Sequence, residues 1–310
     1  MTLETLLAAD IRSGLARLAA DLESSAPKLS EPFWEWARTI APGPEVDSLF
    51  LHPGRFPFLK LPYWILEASD AEGGRRLLPD LARSSASGYL LIRLVDELMD
   101  EPDSRAIPLL PIGQFLQVQF VDPYWEHFPD DGAMRSFLSR AWAEASESTF
   151  RDLQGRDIDE AEFMAVCSRK MSASRIPVFA ACRRAGIRAD PWLSFLDALG
   201  VFEQFLDDLF DWHLDLRTGR ASYLLSVARR AAGSAEGVVP WVLSEGIPWG
   251  RARLERYFAV TRERAAVLNS DPLLHHLDFR RTALDDTLAE LERGSRTLST
   301  LREAFPEEIV

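Results

Sequence analysis

Between Gln204 and Arg220 the chain threads Asp207, Asp208, Asp211 and Asp215 through residues otherwise apolar enough for a core. At about 100° per helical residue, the four carboxylates fall within a single arc of about 100°. Like charges at helical spacing repel by about 0.2–0.5 kcal/mol per pair on a surface, and by more when desolvated. Such a stripe requires a cation against it. A second acidic stripe lies upstream, where Asp96, Glu97 and Asp100 follow the apolar run Tyr89-Leu90-Leu91-Ile92. Two aspartate-rich helix ends continuous with apolar sequence suggest carboxylates facing each other across a cavity. Mg²⁺ bridging to phosphate is the matching ligand, because magnesium prefers oxygen donors, keeps several waters and is held by one or two carboxylates together with phosphate oxygens.

The elements that must carry these stripes are helices. Apolar residues recur at three- and four-residue steps from Leu3 to Leu22, Ala133 to Phe150, Glu160 to Ala185, Pro191 to Leu216, Leu254 to Leu268 and Leu273 to Leu301, and no convincing alternating strand is present. Pro102 should end the first acid-bearing helix after Glu101, and Gly219 should stop the second one turn beyond Asp215. Both stripes then lie near helix C-termini, where the dipole disfavours anions by about 0.3–1 kcal/mol. A bound metal would offset that penalty. Pro42-Gly43-Pro44, His52-Pro53-Gly54, Gly73-Gly74 and Gly246-Ile247-Pro248 read as loops between helices. With no linker-like stretch, the pattern predicts one domain over residues 1–310: an all-α, many-helix bundle around a central cavity that holds the ligand.

Composition narrows the function. A net charge of −13 argues against nucleic-acid binding, which needs a basic face. No apolar run approaches the ~20 residues of a membrane span, so stable membrane insertion is not expected. The first residues lack the basic start and apolar stretch of a signal peptide, which points to the cytoplasm. Cys167 and Cys182, the two cysteines, have no ligand spacing and read as core. There are three lysines, Lys28, Lys60 and Lys170, and Lys170 stands in an apolar-flanked helical segment with Arg169 and Arg175. Arg93, one turn before Asp96, and Arg220, after Gly219, are further cations suited to diphosphate oxygens. His275-His276 and Arg256-Tyr257 read as structural.

These residues resemble a family, the class I isoprenoid synthases, which comprise trans-prenyl diphosphate synthases, squalene/phytoene synthases and terpene cyclases. Val95 to Asp103, with Asp96, Asp100 and the following Pro102, is similar to the first acidic motif of phytoene synthases. Gln204 to Asp211 resembles the second aspartate-rich motif of prenyl diphosphate synthases, while Asp211, Asp215, Gly219 and Arg220 are closer to squalene/phytoene synthases. Arg169-Lys170-Met171-Ser172-Ala173 looks like the lysine-bearing helix that holds an allylic diphosphate. The resemblance covers roughly Tyr89 to Leu225 and departs from the family elsewhere. No arginine pair followed by glycine comes after Asp100, where Arg105 stands alone. His52-Pro53-Gly54-Arg55 occupies the place expected for a binder of a second, homoallylic diphosphate.

The resemblance implies an all-α isoprenoid-synthase domain in which Asp96, Glu97, Asp100, Asp207, Asp208, Asp211 and Asp215 hold Mg²⁺, three ions with bound diphosphate. Arg93, Lys170, Arg175, Gln204 and Arg220 would bind substrate, with Tyr89, Phe202 and Phe205 lining the apolar cavity, and Gly219 to Tyr223 would serve as a closing segment. The favoured activity is a terpene cyclase ionising one C15–C20 allylic prenyl diphosphate, because sites for a second diphosphate are not recognisable. The alternatives are a prenyltransferase joining two prenyl diphosphates, head-to-head or head-to-tail, and a non-catalytic helical binding protein. The partner is then a prenyl diphosphate, and a homodimer is one open assembly.

Overall fold

The computed structural model describes residues 2–51, 57–68, 74–100, 104–152, 157–220 and 222–304, apart from the side chains of residues 68, 100, 152, 172 and 301–304. Helices run in the order α1 Leu3–Ser25, α2 Pro27–Thr39, α3 Ser48–Leu51, α4 Leu61–Ala68, α5 Leu78–Asp100, α6 Ile112–His127, α7 Gly132–Asp152, α8 Glu160–Lys170, α9 Ser172–Ala185, α10 Asp190–Thr218, α11 Tyr223–Ala232, α12 Val238–Trp241, α13 Ile247–Ala266 and α14 Asp271–Ala304. Among the described residues there is no strand, as the periodicity predicts, and no helix is long and apolar enough to cross a membrane. The chain packs into two compact units. One comprises Met1–Ser139 with Ala173–Ala189, the other Arg140–Ser172 with Asp190–Val310.

In the first unit α5 packs against α1 and α6. Every residue from Leu81 to Gly88 is buried, so α5 is enclosed on all sides there, and Leu90 and Leu94 carry the core further along it. Small residues set the spacing. A Cβ at Gly88 would lie 2.5 Å from Phe120 Cδ2, and one at Gly14 would lie 3.1 Å from the Arg83 backbone. Two buried side chains bond across these contacts: Arg83 donates to Gln119 at 2.6 Å, and Ser84 donates to the Phe120 carbonyl at 2.7 Å. At the far end of α5, burial alone would raise the Asp80 carboxyl. Hydrogen bonds from His127 and Arg17 hold it below its ordinary value instead.

The second unit is built around α10, which packs on α8, α11 and α13. Trp192, Phe195, Leu196, Leu199, Phe202, Phe205 and Leu209 recur at three- and four-residue steps and are buried. Each large apolar side chain removed from water contributes about 1.5–3 kcal/mol, so this stripe alone accounts for much of the unit's cohesion. Gly250 lets α13 approach, since a Cβ there would meet Leu209 Cδ1 at 2.6 Å.

Two sequence expectations change. The apolar run from Glu160 to Ala185 is two helices, broken at Met171, where no glycine or proline marks the turn. Gly246-Ile247-Pro248 is not a loop. A π-helical turn, Val242–Gly246, leads straight into α13, and its wide ring tolerates the N–H that Pro248 lacks. The Leu243 carbonyl in that turn accepts a hydrogen bond from Ser295 at 2.5 Å. His52-Pro53-Gly54 lies outside the described residues.

Candidate active site

The first acidic motif occupies the last turn of α5, which ends at Asp100. At about 100° per residue, Tyr89, Arg93, Asp96 and Asp100 share one face of the helix, with Glu97 displaced to its side. Asp96 is half-buried and Arg93 exposed, while the Asp100 side chain lies outside the described set. Tyr89 is half-buried, with the Phe58 ring stacked on it at 5.6 Å and Phe50 edge-on at 5.5 Å. Glu97 is spoken for on both oxygens. Trp36 Nε1–H donates to one at 2.6 Å, and Ser104 donates to the other at 2.7 Å. Neither bond was foreseen from sequence, and together they make Glu97 an anchor for α2 and the chain after α5.

The second motif is a ladder on α10. Glu203, Asp207, Asp211 and Asp215 follow at four-residue steps, so each carboxylate stands one turn above the last. Asp207 and Asp211 are exposed and Asp215 is half-buried. Although the Asp207 carboxylate reaches solvent, the protein crowded about it desolvates it. That effect, with the charges of Glu203 and Asp211, pushes it up to about 6 against the pull of Lys170 and Arg280. Lys170, the last residue of α8, therefore stands near enough to this stripe for its charge to act on Asp207. It is placed there by close packing: a Cβ at Gly200 of α10 would come within 2.4 Å of Met171 Cγ and 3.3 Å of the Cys167 carbonyl.

Asp208 differs from its neighbours. It is 5% exposed and turned inward, accepting the Tyr223 backbone N–H at 2.8 Å and the Gln204 amide at 3.3 Å. Burial pushes its carboxyl up to about 7 despite those two bonds. Gln204 thus contacts Asp208, not an open face. Gly219 ends α10 in the left-handed region at φ +73°, as its place in the sequence predicts. The following Arg220 N–H bonds back to the Asp215 carbonyl at 2.9 Å.

Phe202 and Phe205, expected to line a cavity, are core. Phe202 packs edge-on to Phe258 at 5.3 Å, and Phe205 meets Tyr257, Trp249 and Tyr223 at 5.3–6.0 Å. Both rings lie on the α13 side of α10, where burial outcompetes exposure to a ligand. Arg175 is half-buried on α9, within the first unit. Cys167 and Cys182 are buried and free, and burial pushes the Cys182 thiol up to about 12.

Two charged residues of the site were missed. Glu203 extends the carboxylate ladder one turn towards the helix start and is raised by burial, with Arg280 of α14 countering. The Arg280 guanidinium bonds both Glu203 oxygens and lies 5.7 Å over the Phe202 ring. The four-residue spacing before Asp207 could have revealed Glu203. Nothing local points to Arg280, which is 77 positions away.

Among the described residues no group of three or more His, Cys, Asp or Glu side chains is arranged to hold a metal ion. Mg²⁺ does not need one, since each ion takes one or two carboxylates and completes its shell with phosphate and water. A ladder of one-turn carboxylates, in which Asp207 is raised partly by its own neighbours, fits that donor requirement. A cavity of about 370 Å³ in the second unit is lined by Met164, Ser168, Ala198, Val201 and Tyr257. Its lining includes Asp197 on the first half of α10, roughly 15 Å along the helix from Asp207, and none of the ladder's carboxylates.

No protein-family model matches the chain, and no curated protein matches it in sequence. Solved structures do match it in fold. A geranylgeranyl pyrophosphate synthase from Lactobacillus brevis superposes with a TM-score of 0.68 at 13% identity, covering 88% of this chain and 95% of its own. A polyprenyl synthase from Caulobacter crescentus, complexed with calcium and isoprenyl diphosphate, gives 0.66 at 16% identity, with 89% and 94% covered. A farnesyl diphosphate synthase from T. brucei, complexed with a bisphosphonate, gives 0.56 at 13% identity, with 98% and 95% covered. The chain shares the all-α fold of these three solved structures.

Proposed function

We propose that residues 1–310 work as one isoprenoid-synthase domain that ionises an allylic prenyl diphosphate and transfers the prenyl group to a second prenyl unit. The observation that carries this reading is the Asp207, Asp211, Asp215 ladder with Lys170 beside it, on a fold shared with prenyl diphosphate synthases. Asp96, Asp100, Asp207, Asp211 and Asp215 are the residues assigned to Mg²⁺, three ions with the diphosphate. Glu97 and Asp208 are left out because their oxygens are bonded within the protein. Bound Mg²⁺ would neutralise the diphosphate as it leaves.

The chain's own cations complete the charge balance. Lys170, Arg220, Arg93 and Arg175 are assigned to diphosphate oxygens, to which charge-assisted hydrogen bonds run stronger than neutral ones. Fixed cations stabilise the leaving group's charge without reorganising, the electrostatic effect that commonly dominates rate enhancement. Tyr89, on the Asp96 face of α5, offers an aromatic surface to the allylic cation, worth about 0.5–2 kcal/mol.

A terpene cyclase remains the second reading, favoured by one observation: Arg105 stands alone after Asp100, where chain-elongating synthases carry an arginine pair. Incubation with geranyl, farnesyl and geranylgeranyl diphosphates, each with and without isopentenyl diphosphate, separates the two. A longer or coupled prenyl product supports transfer. A cyclic or volatile hydrocarbon from a single diphosphate overturns transfer in favour of cyclisation, and absence of Mg²⁺-dependent pyrophosphate release from every substrate overturns both.

A further inference from the structure

We propose that Asp208 is a positioning residue, a buried tether that fixes where Arg220 stands relative to the acidic ladder; its effect on substrate, though not the tether itself, rests on the function proposed above. Two backbone N–H groups define the segment after α10. That of Arg220 bonds the Asp215 carbonyl at 2.9 Å, and that of Tyr223 bonds Asp208 at 2.8 Å. Asp208 and Asp215 are seven residues apart on one helix, about 10 Å along its axis. The three peptide steps from Arg220 to Tyr223 reach about 10–11 Å at full extension. Asp208 therefore holds the chain three residues after Arg220 and so limits how far Arg220 can stand from it.

Both ends of the tether are buried. Asp208 is 5% exposed and steadied by Gln204. Tyr223 is 4% exposed, with its ring stacked on Phe163 at 5.0 Å and its helix capped by the Ser222 hydroxyl. The segment expected from sequence to close over the site is in this way pinned at both flanks. Of its two oxygens, Oδ2 is committed to the Tyr223 N–H and Oδ1 takes the Gln204 amide. The second aspartate of the pair thus serves the chain that carries Arg220, and Asp207 serves the ligand.

The test compares full-length wild type with Asp208→Ala and Asp208→Asn. Hydrogen exchange at the Tyr223 amide needs no substrate. In Asp208→Ala it should speed up by about tenfold or more, the scale for losing a charge-assisted bond, while Asp208→Asn, whose Oδ1 still accepts, should stay within about threefold of wild type. Unchanged exchange in Asp208→Ala overturns the tether. With farnesyl diphosphate, Asp208→Ala should raise KM more than it lowers kcat. Asp208→Asn should restore both at an unaltered Mg²⁺ requirement. Asn and Ala variants equally impaired, with a raised Mg²⁺ requirement, would make Asp208 a metal ligand and end the proposal. If Asp208→Ala does not fold, the Asn variant against wild type decides. If wild type releases no pyrophosphate, the function reading falls and amide exchange alone judges the tether.

Discussion

Trp36 donates its indole N–H to Glu97 at 2.6 Å and so ties the last turn of α2 to the last turn of α5. Because Ser104 bonds the other Glu97 oxygen, the two acids of the Asp96-Glu97 pair divide their work, Glu97 fastening the helix end that presents Asp96. Trp36→Phe should lower stability by about 1–3 kcal/mol in urea unfolding, since a hydrogen bond to a charged, part-buried group is lost. Glu97→Gln should keep pyrophosphate release within about fivefold of wild type, whereas Asp96→Asn should lose about a hundredfold or more. Equal losses in the two acids would return Glu97 to the metal.

Gly200 sets how closely the end of α8 approaches α10, and Lys170 rides on that end. Gly200→Ala places a Cβ 2.4 Å from Met171 Cγ, a flexible atom that can move, and 3.3 Å from the Cys167 carbonyl, which cannot move without the backbone. The expected cost is about 1–3 kcal/mol, with KM for the diphosphate raised as Lys170 shifts. Adding Met171→Ala should recover part of both losses. A double-mutant cycle on urea midpoints and KM measures that coupling.

Helical identity and the site's central ladder were legible because both rest on local spacing. The three- and four-residue steps of α10 and the placement of Gly219 are written within one segment. What escaped was tertiary. Asp207 and Asp208 are adjacent and chemically identical, and only the partner brought by Tyr223 turns one inward. Phe205 looks the same in sequence whether it faces a ligand or the rings of Trp249 and Tyr257. The break at Met171 and the pairing of Glu203 with Arg280 likewise depend on helices distant in sequence, where periodicity carries no information.

Stability of the metal-free chain should fall as pH rises through the weakly acidic range. Asp207 is pushed up to about 6 and Asp208 to about 7, from an ordinary value of 3.8. Between about pH 4 and pH 7 the folded chain holds protons that the unfolded chain has released, so unfolding free energy declines with pH and levels off above about 7. Thermal melts in EDTA from about pH 5 to about pH 8 should show that decline, and the double variant Asp207→Asn, Asp208→Asn should flatten it. A melting temperature that rises over the same range would contradict the placement of these two carboxyls.

Metal should matter to ligand binding and not to folding. With no described group of three or more ligating side chains arranged for an ion, EDTA should leave the circular dichroism and melting temperature unchanged while abolishing pyrophosphate release. Mg²⁺ alone should raise the melting temperature little, because each ion finds only one or two carboxylates. Mg²⁺ with pyrophosphate should raise it by more than the two separate shifts combined. Saturation at about a hundred times the dissociation constant corresponds to about 2.7 kcal/mol, and hence to roughly 4 °C for a chain of this length. The excess measures the coupling between the anion and the ladder, and Asp211→Asn should remove it because a missing rung leaves the ion with phosphate alone. Additive shifts in wild type would mean that the anion binds without the ions, and Asp207, Asp211 and Asp215 would then be a solvated helix face.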